Sequence, residues 1–358
     1  MKTHSGFPTA RGSRQDGQAI IIVAGILMIM LAISALALDI GYLMVGRAEL
    51  QNVADASALA AARRLGSIYE GLTLQAQQTY VCDPAALIQT ARDIALRNKA
   101  AGSPITIVDA DVTVGDWDTE LHQLTPGLSR PNAVRVVARR DTSANSPVST
   151  FFAKAFGIDG VDVTAQATAA LTALSTIEPD ELIPVGLSQQ WFDSNPQFCG
   201  QPIKFYPTYA DEGCAGWNTY ERWPASESYL RKYILEDWVY SEFTPPAAET
   251  GDEFVFIGGA LGDQTYTAFL NLFNYMKTRD DDGDPNTWTA SVVVYKSAAC
   301  SNPTGRIEIV GFAMATITAV LTPPAKEIRA IVACNYVQPG RSGGGNYGTM
   351  GSIPGLVQ

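Results

Sequence analysis

Histidine is almost missing from this chain: there are two in 358 residues, His4 and His122. That shortage disfavours His-rich metal sites and leaves His122 as the one imidazole for any triad chemistry. Charge is also scarce, at 17% of residues, and of one prevailing sign, with 25 Lys+Arg against 36 Asp+Glu. The formal net charge of −11 offers no general basic face, so a nucleic-acid binder is disfavoured. No C-x-x-C, G-x-S-x-G, P-loop, H-E-x-x-H or strand-linked G-x-G-x-x-G occurs. With no such constellation, the chain is expected not to be an enzyme. What it has is apolar surface to bury, 46% of residues, which excludes a wholly disordered or collagen-like chain. Its length suggests two folded units plus accessories.

Residues 19–38 form a run of 20 without a charge, and Ser34 is its one polar member. As a helix this run reaches about 30 Å, the thickness of bilayer hydrocarbon. Lys2, Arg11 and Arg14 precede it against Asp16, which predicts a cytoplasmic tail at 1–17 and a translocated C-terminal part. The alternative is a cleaved signal peptide with Ala35-Leu36-Ala37 as its processing site. Both readings export residues 39–358. The exported part is acidic, so general positive charge would not hold it to an anionic bilayer.

The helical signal continues past the run. Residues 39–66 hold no proline and are rich in alanine, the best helix former, so a helical stalk is expected there. Leu50, Ala54, Ala58, Ala61 and Leu65 recur at helical spacing and make one apolar stripe. Ala37 and Gly41 form a second pair of small residues at the membrane edge. Either this face packs on the protein's own globular part, or part of it is a subunit seam in a homo-oligomer. The rod from residue 18 to 65 would measure about 70 Å.

The remainder mixes helix and strand. Residues 84–101 read as a helix with proline in its first turn. Residues 105–108, 111–117, 133–139 and 161–171 have strand composition, and 148–156 reads as a short helix closed by Gly157. These make a first α/β unit over 67–176. A β-rich second unit is expected over 177–337, with strands at 254–257, 290–295, 306–319 and 328–332 and a helix at 266–277. Its aromatic-rich stretch 191–250 could serve recognition. Residues 338–358, rich in Gly and Ser, are expected to form a flexible tail. The expected fold class is α+β: a long N-terminal transmembrane and amphipathic helix, a mixed α/β unit and a β-rich, disulfide-bearing second unit.

All five cysteines follow the apolar run, as export predicts. Cys199 with Cys214 and Cys300 with Cys334 are the natural pairs, although sequence does not determine connectivity. Cys82 is then left over as a buried inert thiol, an intermolecular partner, or a nucleophile beside His122. Asp280, Asp282 and Asp284 surround Gly283 in an acidic run. They are either a solvated turn or ligands of a structural Ca²⁺, the one cofactor in view.

Several residues carry a resemblance. Gly17-Gln18-Ala19 opens the apolar run, Asp39-Ile40-Gly41 closes it, and Leu50-Gln51-Asn52 with Ala54-Asp55-Ala56 follows. This pattern, over about 13–62, resembles the N-terminal module of the TadE/TadG-like family, assembly proteins of tight-adherence (Flp) pili. Weaker likeness extends to 134–137, 151–157, 163–170, 251–262 and 309–313. The resemblance implies an inner-membrane anchor, a periplasmic or extracellular ectodomain, and pilus or pilus-assembly partners. It implies no catalytic or cofactor-binding residues. Some relatives are cut after a glycine, which would be Gly17, but the matching pilin pattern wants a glutamate where Ile22 stands. The von Willebrand metal motif of larger relatives is missing. A second functional class, a surface adhesin or ligand receptor borrowing the helix as an anchor, is motivated by the Trp/Tyr-rich stretch 191–250, part of the unrecognised 185–250.

Overall fold

A computed structural model describes residues 15–205, 214–300 and 302–358. Lys2, Arg11 and Arg14, on which the orientation rests, lie outside the described residues. Helix α1 (Gln15–Glu70) runs unbroken for 56 residues. Its two halves live in different surroundings. Side chains from 19 to 38 are exposed apart from the half-buried Gly25 and Ala35. From Leu50 onward the helix enters a core, with Val53, Ala62 and Tyr69 joining the expected stripe. The stretch beyond the apolar run is therefore the central element of a folded unit rather than a free stalk.

That core lies between α1 and a five-stranded sheet. Short helix α2 (Leu74–Gln78) and α3 (Ala85–Leu96) follow α1. Strands β1 (Val112–Asp118), β2 (Gln123–Pro126), β3 (Ala133–Arg140) and β4 (Val163–Ala170) then pair antiparallel in the order β4-β3-β1-β2. Helix α1 packs on β4, β3 and α3. Strand β4 turns Val163, Ala165, Ala167 and Ala169 toward the helix, as period two requires. Alanine meets alanine across this seam, so the elements approach closely. Two expectations fail locally. Residues 105–108 make no ladder, although Ile105 and Ile107 are buried. In 148–156 only Ala153–Phe156 is helical, while Val148–Ser149 pairs with Gly160–Val161 as a hairpin stem. The stem pairing takes Val148 and Ser149, so the helical turn is confined to the last four residues.

The second unit is built on seven strands: β5 (Leu182–Ser188), β6 (Pro202–Lys204), β7 (Gly216–Asn218), β8 (Glu253–Ile257), β9 (Trp288–Tyr295), β10 (Gly305–Leu321) and β11 (Glu327–Ala333). The pairings β9–β10–β8–β7–β5 return to β9 through a parallel contact, closing a five-stranded ring. The 17-residue β10 outruns the ring and carries β11 and β6 on its far part. At Gly186 of β5 a Cβ would stand 3.0 Å from the Phe256 ring and from Val293, so the crowded interior favours glycine there. Short helix α4 (Gln189–Ser194), a helical stretch over 227–239 and helix α5 (Asp263–Met276) cover the strands. Trp217 meets Phe269 at 5.4 Å and Trp238 meets Trp288 at 6.0 Å between ring centroids.

The C-terminal stretch corrects an expectation. Residues 338–358 carry strands instead of a flexible tail. Strand β12 (Tyr336–Arg341) pairs in parallel with β13 (Thr349–Ile353), and β14 (Gly355–Leu356) adds to β4 at the edge of the first sheet. Glycine content reads as unburied chain, yet here it permits backbone to touch backbone. A Cβ on Gly66 of α1 would lie 1.9 Å from the Ser352 carbonyl oxygen. The chain end thus crosses directly over the helix.

Candidate functional site, an anchor helix and its clamp

Asp39 is the first charged residue after the apolar run and is buried, 3% exposed. Its Oδ1 accepts a hydrogen bond from the Phe151 amide at 2.8 Å. Its Oδ2 accepts from the amides of Phe152 at 3.0 Å and Ala153 at 2.6 Å. The 3₁₀ turn Ala153–Phe156 has no side-chain cap of its own. A carboxylate from α1 supplies it, satisfying orphan amides with charge-assisted bonds. The Phe151 ring packs edge-on against Tyr42, 5.2 Å between centroids. Further along, Glu49 Oε2 accepts from the Ala101 amide at 2.6 Å and the Tyr42 hydroxyl donates to the Ala101 carbonyl at 3.2 Å. Gln51 Nε2 donates to the Gln166 carbonyl at 2.9 Å. Polar residues flanking the alanine stripe therefore fasten helix to domain. The motif had marked Asp39 without revealing its partners, which lie 112 to 114 residues away.

The stripe itself is spent internally. Leu50, Ala54, Ala58, Ala61 and Leu65 are fully buried against the first sheet, so this face is not available as a subunit seam. Ala37 and Gly41 remain exposed, and a Cβ on Gly41 would meet nothing within 4 Å.

The expected cysteine pairing is replaced by another. Cys199 bonds Cys334 and Cys214 bonds Cys300, with Cα separations of 5.5 and 5.3 Å. Proximity in sequence misled. The β6–β11 register sets Pro202 opposite Ile331, and three steps further along this ladder Cys199 faces Cys334. Cys82 is a buried free thiol beside Tyr80, and burial pushes its pKa up. His122 instead faces Trp117 on an exposed turn. No contact joins the two among the described residues, so the nucleophile pair is not assembled.

The acidic run is a hydrogen-bonded turn. Asp282 Oδ1 accepts from the Asp284 amide at 2.8 Å, and its Oδ2 accepts from the hydroxyls of Thr287 at 2.8 Å and Thr289 at 3.0 Å. Asp284 accepts from the Asn286 amide and Asp280 from the Thr289 amide. Donors thus face the oxygens a cation would need. Among the described residues no group of three or more His, Cys, Asp or Glu could hold a metal ion. The geometry of Asp280, Asp282 and Asp284 therefore gives the Ca²⁺ reading no support.

The structure adds an acidic cleft that sequence reading missed. About 280 Å³ in volume, it opens between the end of α1 and the ring of strands, lined by Glu70, Asp180, Glu181, Asp280 and Asp281 beside Trp288. Burial pushes the Glu181 carboxyl up, and burial with the nearby Asp282 and Asp281 carboxylates pushes Asp280 to about 7. These carboxylates come from three distant segments, so no local pattern announced them.

Among the described residues one helix is long and apolar enough to cross a membrane, and its most apolar stretch is uncovered by the rest of the protein. Residues 17–64 match a family model described as Flp pilus-assembly TadE/G-like, and residues 73–169 match one described as Tad-like Flp pilus-assembly. No curated protein matches the chain, and no solved structure does. The first match covers α1 from the apolar run through the buried stripe, and the second covers α2, α3 and the sheet that receives it. Over these two N-terminal stretches the chain carries modules similar to those of Tad-like Flp pilus-assembly proteins.

Proposed function

We propose that this protein is a membrane-anchored, non-catalytic structural component of an Flp pilus assembly system, minor pilin-like or an envelope anchor. Residues 19–38 span the bacterial inner membrane with the N-terminus in the cytoplasm, and the two sheets stand in the periplasm or beyond. The observation that carries this reading is the continuity of α1. One helix passes without a break from a bare apolar run into the core of the Tad modules. Forces on the ectodomain reach the bilayer through a rigid rod instead of a linker. The exposed run, with Ala37 and Gly41 at its edge, is the surface left for helices of pilus partners or a second copy, because the Leu50–Leu65 stripe is occupied. Structure-bearing disulfides suit an oxidising compartment.

Among the described residues, the adhesin reading keeps only Trp223, Tyr233 and Tyr240 as exposed aromatics of the 191–250 stretch. Trp191, Trp217 and Trp238 from the aromatic-rich stretch are core residues, and Trp223 alone of its tryptophans is exposed. A gene deletion tests the proposal: cells lacking the protein should lose assembled pili and adhesion. Normal pili in the deletion strain would refute it. Protease added to spheroplasts should digest the C-terminal part, and protection would refute the orientation.

A further inference from the structure

The hairpin clamped by Asp39 ends in a tip that the fold leaves greasy. Phe151, Phe152, Phe156 and Ile158 are 63%, 47%, 83% and 49% exposed, and Lys154 is exposed among them. The stem, Val148–Ser149 with Gly160–Val161, lies beside α1 near Gly46, where Val148 stands 3.9 Å from a Cβ built there. The tip meets α1 at Asp39, seven residues nearer the apolar run. The hairpin therefore points along α1 toward the run and stops where it ends. If the hydrocarbon ends at Leu38, the tip lies within about one helical turn of that boundary.

We propose that this tip is a second membrane contact, inserted at the level of the lipid headgroups beside the spanning helix. The proposal rests on reading residues 19–38 as a membrane span. Aromatic and branched apolar side chains at the acyl boundary, with a lysine reaching lipid phosphate, are the chemistry of an interfacial anchor. A lipid surface is the occupant because the tip is bonded to the first residue past the span. In water these side chains would be an unexplained apolar patch; beside a span they continue its apolar surface. One helix alone lets the ectodomain swivel and tilt on the bilayer. A second contact held by three backbone amides on Asp39 sets its orientation, which is what a rigid coupling between pilus and membrane requires.

The test uses the full-length protein in phosphatidylcholine–phosphatidylglycerol vesicles. Phe156→Cys, Ile29→Cys and Tyr240→Cys are each labelled with an environment-sensitive dye, the native free thiol Cys82 being buried. Tyr240 serves as the remote control. It lies just past Trp238, which lines the cleft with Tyr69 and Glu70, about 45 Å along α1 from Asp39. Lipids bearing a quencher at the headgroup should dim the Phe156→Cys label most, those with a quencher near the acyl ends should dim Ile29→Cys most, and neither should affect Tyr240→Cys. A bright Phe156→Cys label beside a quenched Ile29→Cys label would overturn the proposal and leave the span standing, as it would if the tip is covered by a protein partner. An unquenched Ile29→Cys label would overturn the span reading, and this proposal with it.

Discussion

Gly66→Ala separates two descriptions of the chain end by the sign of its effect. Gly66 lies inside α1, where replacing glycine by alanine gains about 1 kcal/mol of helix propensity if nothing else intervenes. A free C-terminal tail would therefore leave Gly66→Ala more stable than wild type. In the structure the new methyl would lie 1.9 Å from the Ser352 carbonyl oxygen and 2.8 Å from its carbon. The obstacle is backbone, held by the β12–β13 pairing and by the β14 strand, so it cannot swing aside as a side chain would. Overpacking of this kind costs about 3 kcal/mol, the upper part of its usual range. The net loss is then about 2 kcal/mol, a fall in Tm of about 3 °C for a chain of this size. Thermal unfolding of the detergent-solubilised protein measures it. Limited proteolysis should also release residues 338–358 sooner from the variant. A Tm equal to or above wild type would refute the account of the chain end as a strand crossing the helix.

Three further outcomes follow from the same geometry. Peptide mapping without reduction should recover Cys199 joined to Cys334 and Cys214 joined to Cys300; removing either bridge should cost about 2–5 kcal/mol, whereas Cys199 joined to Cys214 would contradict the β6–β11 register. Asp280 is raised from an ordinary 3.8 to about 7, so the folded protein holds a proton there that the unfolded chain releases. Stability from this group is greatest below pH 4 and is lost as pH rises toward 7, and Asp280→Asn should flatten that slope in chelator-treated protein. Asp39→Ala should free the hairpin tip, so that trypsin cuts after Lys154 faster than in wild type while the far-UV spectrum stays the same; unchanged cleavage would remove the clamp.

Much of the anchor was legible from sequence because its signals are local. A 20-residue uncharged run and an unbroken alanine-rich continuation both act within a few turns of helix, so α1 could be read almost to its ends. The alternation in β4 was equally plain. Other features were hidden because their partners are far away in sequence. The stripe on α1 announced a buried face but not what buries it: residues 133–170 supply the covering sheet, and only their fold chose it over a second subunit. Asp39 stood out as a motif residue, yet its role depends on amides more than a hundred residues on.

Composition therefore determined that this chain has a lipid-sized helix, an acidic cysteine-bearing body and enough apolar residues to fold it. Tertiary structure decided which cysteines meet, where the acidic cleft forms, and that the glycine-rich end crosses α1 and adds its last short strand to the first sheet. The physical reason is the range of each interaction. Hydrophobic periodicity and helix propensity are set by neighbours along the chain, while disulfide register, carboxylate clusters and backbone-on-backbone contacts at Gly66 are set by what the completed fold brings within a few ångströms.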